Sequence, residues 1–298
     1  MKWVVLSDNR GNSTEGCLQS SNENRLSTEH GLSIFLETER YKILLDTGAS
    51  DVFIRNAMLL GIDLSTVDFV FTSHGHSDHA GGLKYFVELN HRAKIIVSPY
   101  AMNCKFYSKR NVVHSITTTW PENIADRLIE VDESCEPAQG LHVIAHIPHI
   151  HPMPKGNQHL FVEDINSQTT NARGQFDTCI DNAERGVQQS QYLLDDFRHE
   201  LALYIDGLLF TGCAHSGLEN ILSACPWHVS SVVGGFHLLD GQESEEELLC
   251  LAERLNAKYQ TTRFYTSHCT GDYVFNIMKS VMGEQLQSFS CGTIIEKE

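Results

Sequence analysis

The chain has 298 residues, 41% of them hydrophobic, and a formal net charge of −16. That length can bury a sizeable core in one large domain or two, while the acidic balance, with no stripe of Lys and Arg to offset it, excludes nonspecific nucleic-acid binding as the function. The apolar start Trp3-Val4-Val5-Leu6 is too short for a secretory segment, no later run reaches membrane-span length, and nine cysteines without C-x-x-C spacing suit a reducing compartment, so a cytoplasmic protein with no membrane partner is expected.

In chain order, Trp3–Leu6, Leu32–Glu37 and Lys42–Leu45 read as strands, the last closed by Asp46-Thr47-Gly48. A helix is predicted from Asp51 to Leu60, a strand at Val67–Phe71, a helix at Gly82–Leu89 and a strand at Lys94–Ser98. Leu141–Ile147 is the next strand, and Leu201–Tyr204 and Leu208–Phe210 flank Asp206-Gly207, a tight-turn pair that predicts a hairpin. Val229–Val233, Arg263–Thr266 and Ser288–Glu296 complete the strands. Ser244–Asn256 sets Leu248, Leu249, Leu251, Ala252 and Leu255 against charged residues, an amphipathic helix, and Ser244 with Glu247 makes a capping box at its start.

No linker divides the chain, so a single domain over residues 1–298 is expected, with one polar interruption at about 152–199. An insert of that length is either a lid or a disordered segment. The basic and aromatic stretch Lys105–Arg110 is either a second wall of the same pocket, attracting an anionic group, or a solvated loop.

The densest chemistry lies at His74-Gly75-His76-Ser77-Asp78-His79, directly after a predicted strand. Residues two apart on extended chain point to one side, so His74 and His76 can converge on one cation, and Asp78 and His79 then face a second. This mixed set of imidazole and carboxylate fits divalent transition metals better than magnesium or calcium. Solvated loop histidines are the competing reading, and four ligand-type residues at this density argue against it.

Four residues cannot complete two coordination shells, and three other strand ends lead into small-residue turns that carry a histidine: Thr211-Gly212-Cys213-Ala214-His215, Gly234-Gly235-Phe236-His237 and Ser267-His268-Cys269-Thr270-Gly271. A lone histidine in such a place is more often structural. Three of them beside this motif lower that prior.

The stretch Thr72 to His79 resembles the signature of the metallo-β-lactamase superfamily, and Asp46-Thr47-Gly48 resembles its earlier strand-end aspartate. Glu29-His30-Gly31-Leu32-Ser33, Thr211 to Gly217, Gly234 to Leu238 and His268 to Gly271 together look like the branch related to dihydropterin ribofuranosyl-aminobenzene phosphate synthase. The resemblance implies an α+β fold, the four-layer αβ/βα sandwich, with a dinuclear site between its sheets. It implies His74 and His76 on the first metal, Asp78 and His79 on the second, His268 completing the second and His215 as a further ligand. Many relatives carry a bridging aspartate where this chain has Cys213, so Cys213 either bridges as a thiolate or only packs. The family's third histidine has no clean counterpart, with His142, His146, His149 and His151 as candidates. Asp46 is expected to orient a ligand histidine, and His30 and Asn9 to line the pocket.

The resemblance therefore implies a hydrolase or transferase with two divalent cations, zinc first and iron or manganese as alternatives. It would use a metal-bound hydroxide on a small anionic, phosphate-bearing or pterin-like substrate. Asp78 would orient the nucleophile and His237 would donate to a substrate oxyanion. The second class is a non-catalytic metal- or metabolite-binding sensor, suggested by Cys213 and the missing histidine.

Overall fold

The central strands of this chain, such as Trp3–Leu6, Ile34–Leu36 and Ile43–Leu45, are apolar at every position, the pattern of strands covered on both faces. In the computed structural model, which describes residues 1–11, 25–164, 192–239 and 242–296, this is how they are used. Along Lys2–Ser7, Trp3 and Val5 enter one core while Val4 and Leu6 enter another. Ile34 and Leu36 alternate with Phe35 in the same way, as Ile43 and Leu45 do with Leu44.

Two seven-stranded sheets are built alike. In the first, Ile294–Glu296, Lys2–Ser7, Ser33–Glu37 and Lys42–Leu45 run antiparallel, and Phe69–Phe71, Lys94–Val97 and Leu128–Glu130 then continue parallel. In the second, Cys135–Ala138, Leu141–Ile144, Ala202–Ile205 and Leu208–Phe210 are antiparallel, followed in parallel by Ser231–Val233, Arg263–Thr266 and Leu286–Ser288.

Trp3, Phe71, Leu141, Phe210 and Tyr265 meet between the sheets. Helices Val52–Leu59 and Leu83–Leu89 cover the outer face of the first sheet through Phe53, Leu83 and Phe86. Leu218–Ala224, Glu245–Lys258 and Asp272–Met282 cover the second through Ile221, Leu248, Leu255 and Met278. The layers are helix, sheet, sheet, helix, which is the expected αβ/βα sandwich. No helix of the described residues is long and apolar enough to cross a membrane.

Two readings of the sequence are corrected and two are narrowed. Ser288–Glu296 is two strands in different sheets, because the chain turns at Gly292 (φ 88°) and crosses from one sheet to the other. The strand at 141–147 stops at Ile144, two residues ahead of the left-handed His146 (φ 50°). Lys105–Arg110 is no loop: Cys104–Lys109 pairs with Val113–Ser115 and Leu160–Asp164, and the latter with Leu193–Leu194, in a third sheet. Both margins of the polar insert are therefore built structure, while its middle, 165–191, lies outside the described residues, and with it the choice between lid and disorder.

Candidate metal centre

The parallel strands of both sheets point their C-terminal ends at one another, and the functional residues sit just past those ends. Asp46 follows Lys42–Leu45, the histidine motif follows Phe69–Phe71, Thr211 to His215 follow Leu208–Phe210, His237 follows Ser231–Val233, and His268 and Cys269 follow Arg263–Thr266. Sites in open α/β sheets form at strand carboxyl ends for the same reason: chains leave the sheet there and side chains can converge. Asp46, Ala214, His237 and His268 all have φ between 51° and 57°, a conformation uncommon outside glycine that clusters where local geometry serves a site. Gly212, at φ 58°, could not carry a side chain, since a Cβ there would lie 2.4 Å from Ser73 Oγ.

One set of ligand-type groups is made of imidazoles. His74, His76 and His215 are buried, offer ligand atoms within 4.8 Å of one another, and each keeps an Nε2 with no hydrogen-bond partner among the described residues. Three orphaned nitrogens aimed at one spot are costly unless something occupies it. Burial pushes all three below the ordinary histidine range, helped by neighbouring rings at His74 and His215 and opposed by Asp195 at His76, which favours the neutral form that binds a metal.

The second set adjoins it. His79 Nε2 lies 3.0 Å from Cys213 Sγ and 3.1 Å from His268 Nε2. Asp78 Oδ2 is 3.4 Å from His268 Nε2 and 3.8 Å from His79 Nε2. Burial would raise the Asp78 carboxyl, but charge on His79 and hydrogen bonds with His268 and His30 hold it well below the usual range. Burial would lower His268, yet the hydrogen bond with Asp78 and the negative charge around it lift it to about 9. A proton thus sits where these groups could otherwise share a cation.

Behind both sets stand groups that fix ring orientation. Asp46 Oδ2 accepts from His79 Nδ1 (2.6 Å) and from Ser73 Oγ (2.7 Å), and Ser73 Oγ lies 2.8 Å from His74 Nδ1. Asn9 Oδ1 accepts from His268 Nδ1 at 2.9 Å, and Asn9 Nδ2 reaches His30 Nδ1 at 3.1 Å. With Nδ1 so engaged, the Nε2 atoms of His74, His79 and His268 face inward, the arrangement in which carboxylates and amides tune metal-binding histidines.

The structure brings every residue singled out in the sequence to this one place: His74, His76, Asp78, His79, Cys213, His215 and His268 at the centre, His237 against His215 (ring centroids 4.1 Å), and Asp46, Asn9 and His30 around them. It sets aside the four histidines considered for the empty family position. His142 stacks on Trp227 at 4.0 Å, His146 faces Asp132 and Glu133, His149 is exposed, and the His151 backbone is tied to Asn220. His215 lies beside His74 and His76, and the buried His199, just ahead of Ala202–Ile205, groups with His76 and Asp195.

Sequence reasoning missed several supporting residues. Glu200 takes the amides of His215 and Ser216, both at 2.7 Å, and burial raises its carboxyl. Asn157 holds the His215 carbonyl at 2.8 Å. Asp195 lies 3.8 Å from His76 Nε2 and 3.0 Å from His199 Nε2, whose Nδ1 accepts the Gly75 amide. Asp8 accepts from His268 N and Ser267 Oγ. Of these only Asp8, in the polar triplet Asp8-Asn9-Arg10 closing an apolar strand, left a visible signal in the sequence.

A cavity of about 150 Å³ opens beside the centre. Asp78, His30, His237, Ser77, Ser108 and Arg110 give it polar walls, and Ile116, Leu160 and Leu239 an apolar one. Arg110 and Ser108 belong to the stretch expected either as a wall or as a loop, and the strand puts them on the wall.

A two-sheet sandwich with imidazole, thiol and carboxylate groups gathered between strand ends defines a fold of metal-dependent hydrolases. Residues 27–154 match the metallo-beta-lactamase superfamily. The crystal structure of Tm1679, a metal-dependent hydrolase of the beta-lactamase superfamily, superposes with a TM-score of 0.74 at 25% identity, covering 100% of this chain and 99% of that one. The metallo-beta-lactamase fold protein YhfI from Bacillus subtilis shares the fold at 13% identity, with a TM-score of 0.51 and 99% of each chain covered. Two proteins of Methanocaldococcus jannaschii are similar along most of their length. 7,8-Dihydropterin-6-methyl-4-(beta-D-ribofuranosyl)-aminobenzene-5'-phosphate synthase is 26% identical over 90% of each chain, and the uncharacterized protein MJ0448 is 25% identical over 82% of this chain and 84% of its own. By these comparisons the chain is similar to the metallo-beta-lactamase superfamily, the family match itself spanning residues 27–154.

Proposed function

We propose that the protein is a metal-dependent hydrolase of a small anionic, phosphate-bearing substrate, with His74, His76 and His215 holding one divalent cation and Asp78, His79 and His268 a second, Cys213 lying between them. The observation that carries this reading is the trio of buried, unpartnered Nε2 atoms of His74, His76 and His215, the last two lining a cavity whose polar wall includes Arg110 and His237. Imidazole, thiol and carboxylate donors together fit zinc first, then iron or manganese. When bound, such cations supply Lewis acidity and an ionisable water near neutral pH.

The chain's own groups do the rest. Asp78, with its carboxylate at the cavity, accepts a proton from an attacking water. His237, whose two ring nitrogens have no hydrogen-bond partner among the described residues, donates to an oxyanion of the substrate. Arg110 attracts the anionic group while Ile116, Leu160 and Leu239 accommodate an apolar part.

A transferase acting on a pterin-like substrate is the second reading, favoured by the synthase that is 26% identical over 90% of each chain. A sensor without turnover is less favoured, because His215 gives His74 and His76 a third imidazole beside the cavity. The test is turnover of metal-loaded protein on a panel of phosphate mono- and diesters, with and without an aromatic amine acceptor. Hydrolysis without acceptor, lost in Asp78→Ala while the circular dichroism is unchanged, supports the hydrolase. Turnover only with acceptor moves the transferase forward, and loaded protein inert in every assay refutes both.

A further inference from the structure

Cys269 has no role in the proposed hydrolysis, although it lies inside the centre. Its Sγ is 3.2 Å from Cys213 Sγ, and Cys213, His268 and Cys269 offer ligand atoms that all lie within 4.8 Å of one another. Both thiols are buried. We propose that Cys213 and Cys269 join His79 and His268 in a two-thiolate, two-imidazole cation site, which makes half of this centre soft and selective for thiophilic metals. The proposal rests on the metal-binding reading of the centre and deepens it.

The ligand spacing fits such a shell. With metal–sulfur bonds of about 2.3 Å and metal–nitrogen bonds of about 2.0 Å, a tetrahedron has edges of about 3.8 Å between sulfurs, about 3.5 Å between sulfur and nitrogen and about 3.3 Å between nitrogens. The corresponding separations are 3.2 Å for Cys213 to Cys269, 3.0 Å for Cys213 to His79 and 3.1 Å for His79 to His268. Each needs to open by only about 0.2 to 0.6 Å to admit the ion.

The surroundings hold the sulfurs in place. The His237 amide donates to Cys269 Sγ at 3.3 Å, a bond that favours thiolate, and a Cβ on Gly235 would lie 2.3 Å from that sulfur, so only glycine lets it approach. Asp46 and Asn9 turn the two Nε2 atoms toward the same spot. The two thiolates take the ligand place that the hydrolase reading gives Asp78, whose side chain is 21% exposed and then stands at the rim of this shell, facing the cavity. The two halves differ as a result: four protein ligands close one, whereas His74, His76 and His215 leave the other a free position, the distinction between structural and catalytic zinc.

Cadmium(II), titrated anaerobically into metal-stripped, reduced full-length protein, reads the thiolates directly through its near-ultraviolet sulfur-to-metal charge-transfer band. The expected result is a band that falls to about half in Cys213→Ser and in Cys269→Ser and vanishes in the double variant, since each bound thiolate contributes its share. Cadmium retained by elemental analysis without a band, or a band unchanged in Cys269→Ser, overturns the proposal. X-ray absorption at the zinc edge of the wild-type holoprotein needs no variant to fold. Sulfur at about 2.3 Å supports the shell, and a purely nitrogen and oxygen shell refutes it. Neither readout depends on turnover: a band without hydrolysis sinks only the hydrolase reading, hydrolysis without a band only this one, and protein that binds no cadmium sinks the metal reading beneath both.

Discussion

Replacing Asp46 by Asn changes the volume of a fully buried side chain very little and removes its charge and half of its accepting capacity. Oδ1 takes the Ser73 amide at 2.7 Å, and an amide oxygen could keep that bond. Oδ2 takes Ser73 Oγ and His79 Nδ1, and an NH₂ in its place would point donors at a donor. Relief comes if His79 moves its proton to Nε2, which then points N–H rather than a lone pair at Cys213 and His268. Otherwise the ring loses a hydrogen bond to a charged group, about 1.5 to 3 kcal/mol. Ser73 also carries the contact on to His74 Nδ1, so a single carboxylate orients a histidine in each half of the centre. Loss of such a partner weakens metal binding about 10- to 100-fold, or about 1.4 to 2.8 kcal/mol. Competition against a chromophoric chelator measures it, with circular dichroism to verify the fold. Both cations are expected to weaken in Asp46→Asn, and affinities within about threefold of wild type for both would refute the reasoning.

Three further outcomes are expected. His215→Ala should remove one equivalent of metal by elemental analysis and abolish phosphoester turnover, and full metal content would contradict its place beside His74 and His76. Because the metal-free protein raises His268 to about 9, cation uptake below that pH must expel a proton, so affinity should climb as pH rises toward 9. Calorimetry in two buffers of different ionisation enthalpy counts the protons, and zero released at pH 7 would be the wrong answer. Outside the cavity lining, burial pushes the Cys291 thiol up to about 12. A folded value above the unfolded one, about 8.5, means that the contribution is whole below that pH and is lost as pH rises toward 12, at about 1.4 kcal/mol per unit. Cys291→Ser should therefore lose about 2 kcal/mol less than wild type between pH 8 and pH 10 in urea denaturation, and parallel pH profiles would disprove it.

What could be read in the sequence, and what could not, divides along the range of the physics involved. The motif from His74 to His79, the strand-end turns at Cys213, His237 and His268 and the alternating strand cores are local signals, carried by two- and four-residue spacings. Asp272–Met282 carries such a signal too, with Val274, Met278 and Met282 buried four residues apart, but no capping side chain at Gly271 marks where it starts. The third sheet was not legible: Cys104–Lys109 and Leu160–Asp164 are short, mixed in polarity and far apart in sequence, so each becomes a strand only by pairing with the other. For the same reason Asp195, Asn157 and Glu200 look in the sequence like polar insert residues and not like supports of His76 and His215.

The expectation of a missing ligand shows how a family pattern can mislead at a single position while holding elsewhere. The resemblance calls for a further histidine on the first site, and His142, His146, His149 and His151 are the candidates the sequence offers. In this chain the strand ends at Ile144 and the following histidines turn outward, whereas the left-handed Ala214 (φ 57°) lets the chain bring His215 back beside His74 only two residues after Cys213. A single strand-end turn thereby serves both halves of the centre, Cys213 beside His79 and His215 beside His74 and His76. Such a turn tolerates little change, since Gly212 is in contact with Ser73 and Glu200 takes the amides of His215 and Ser216.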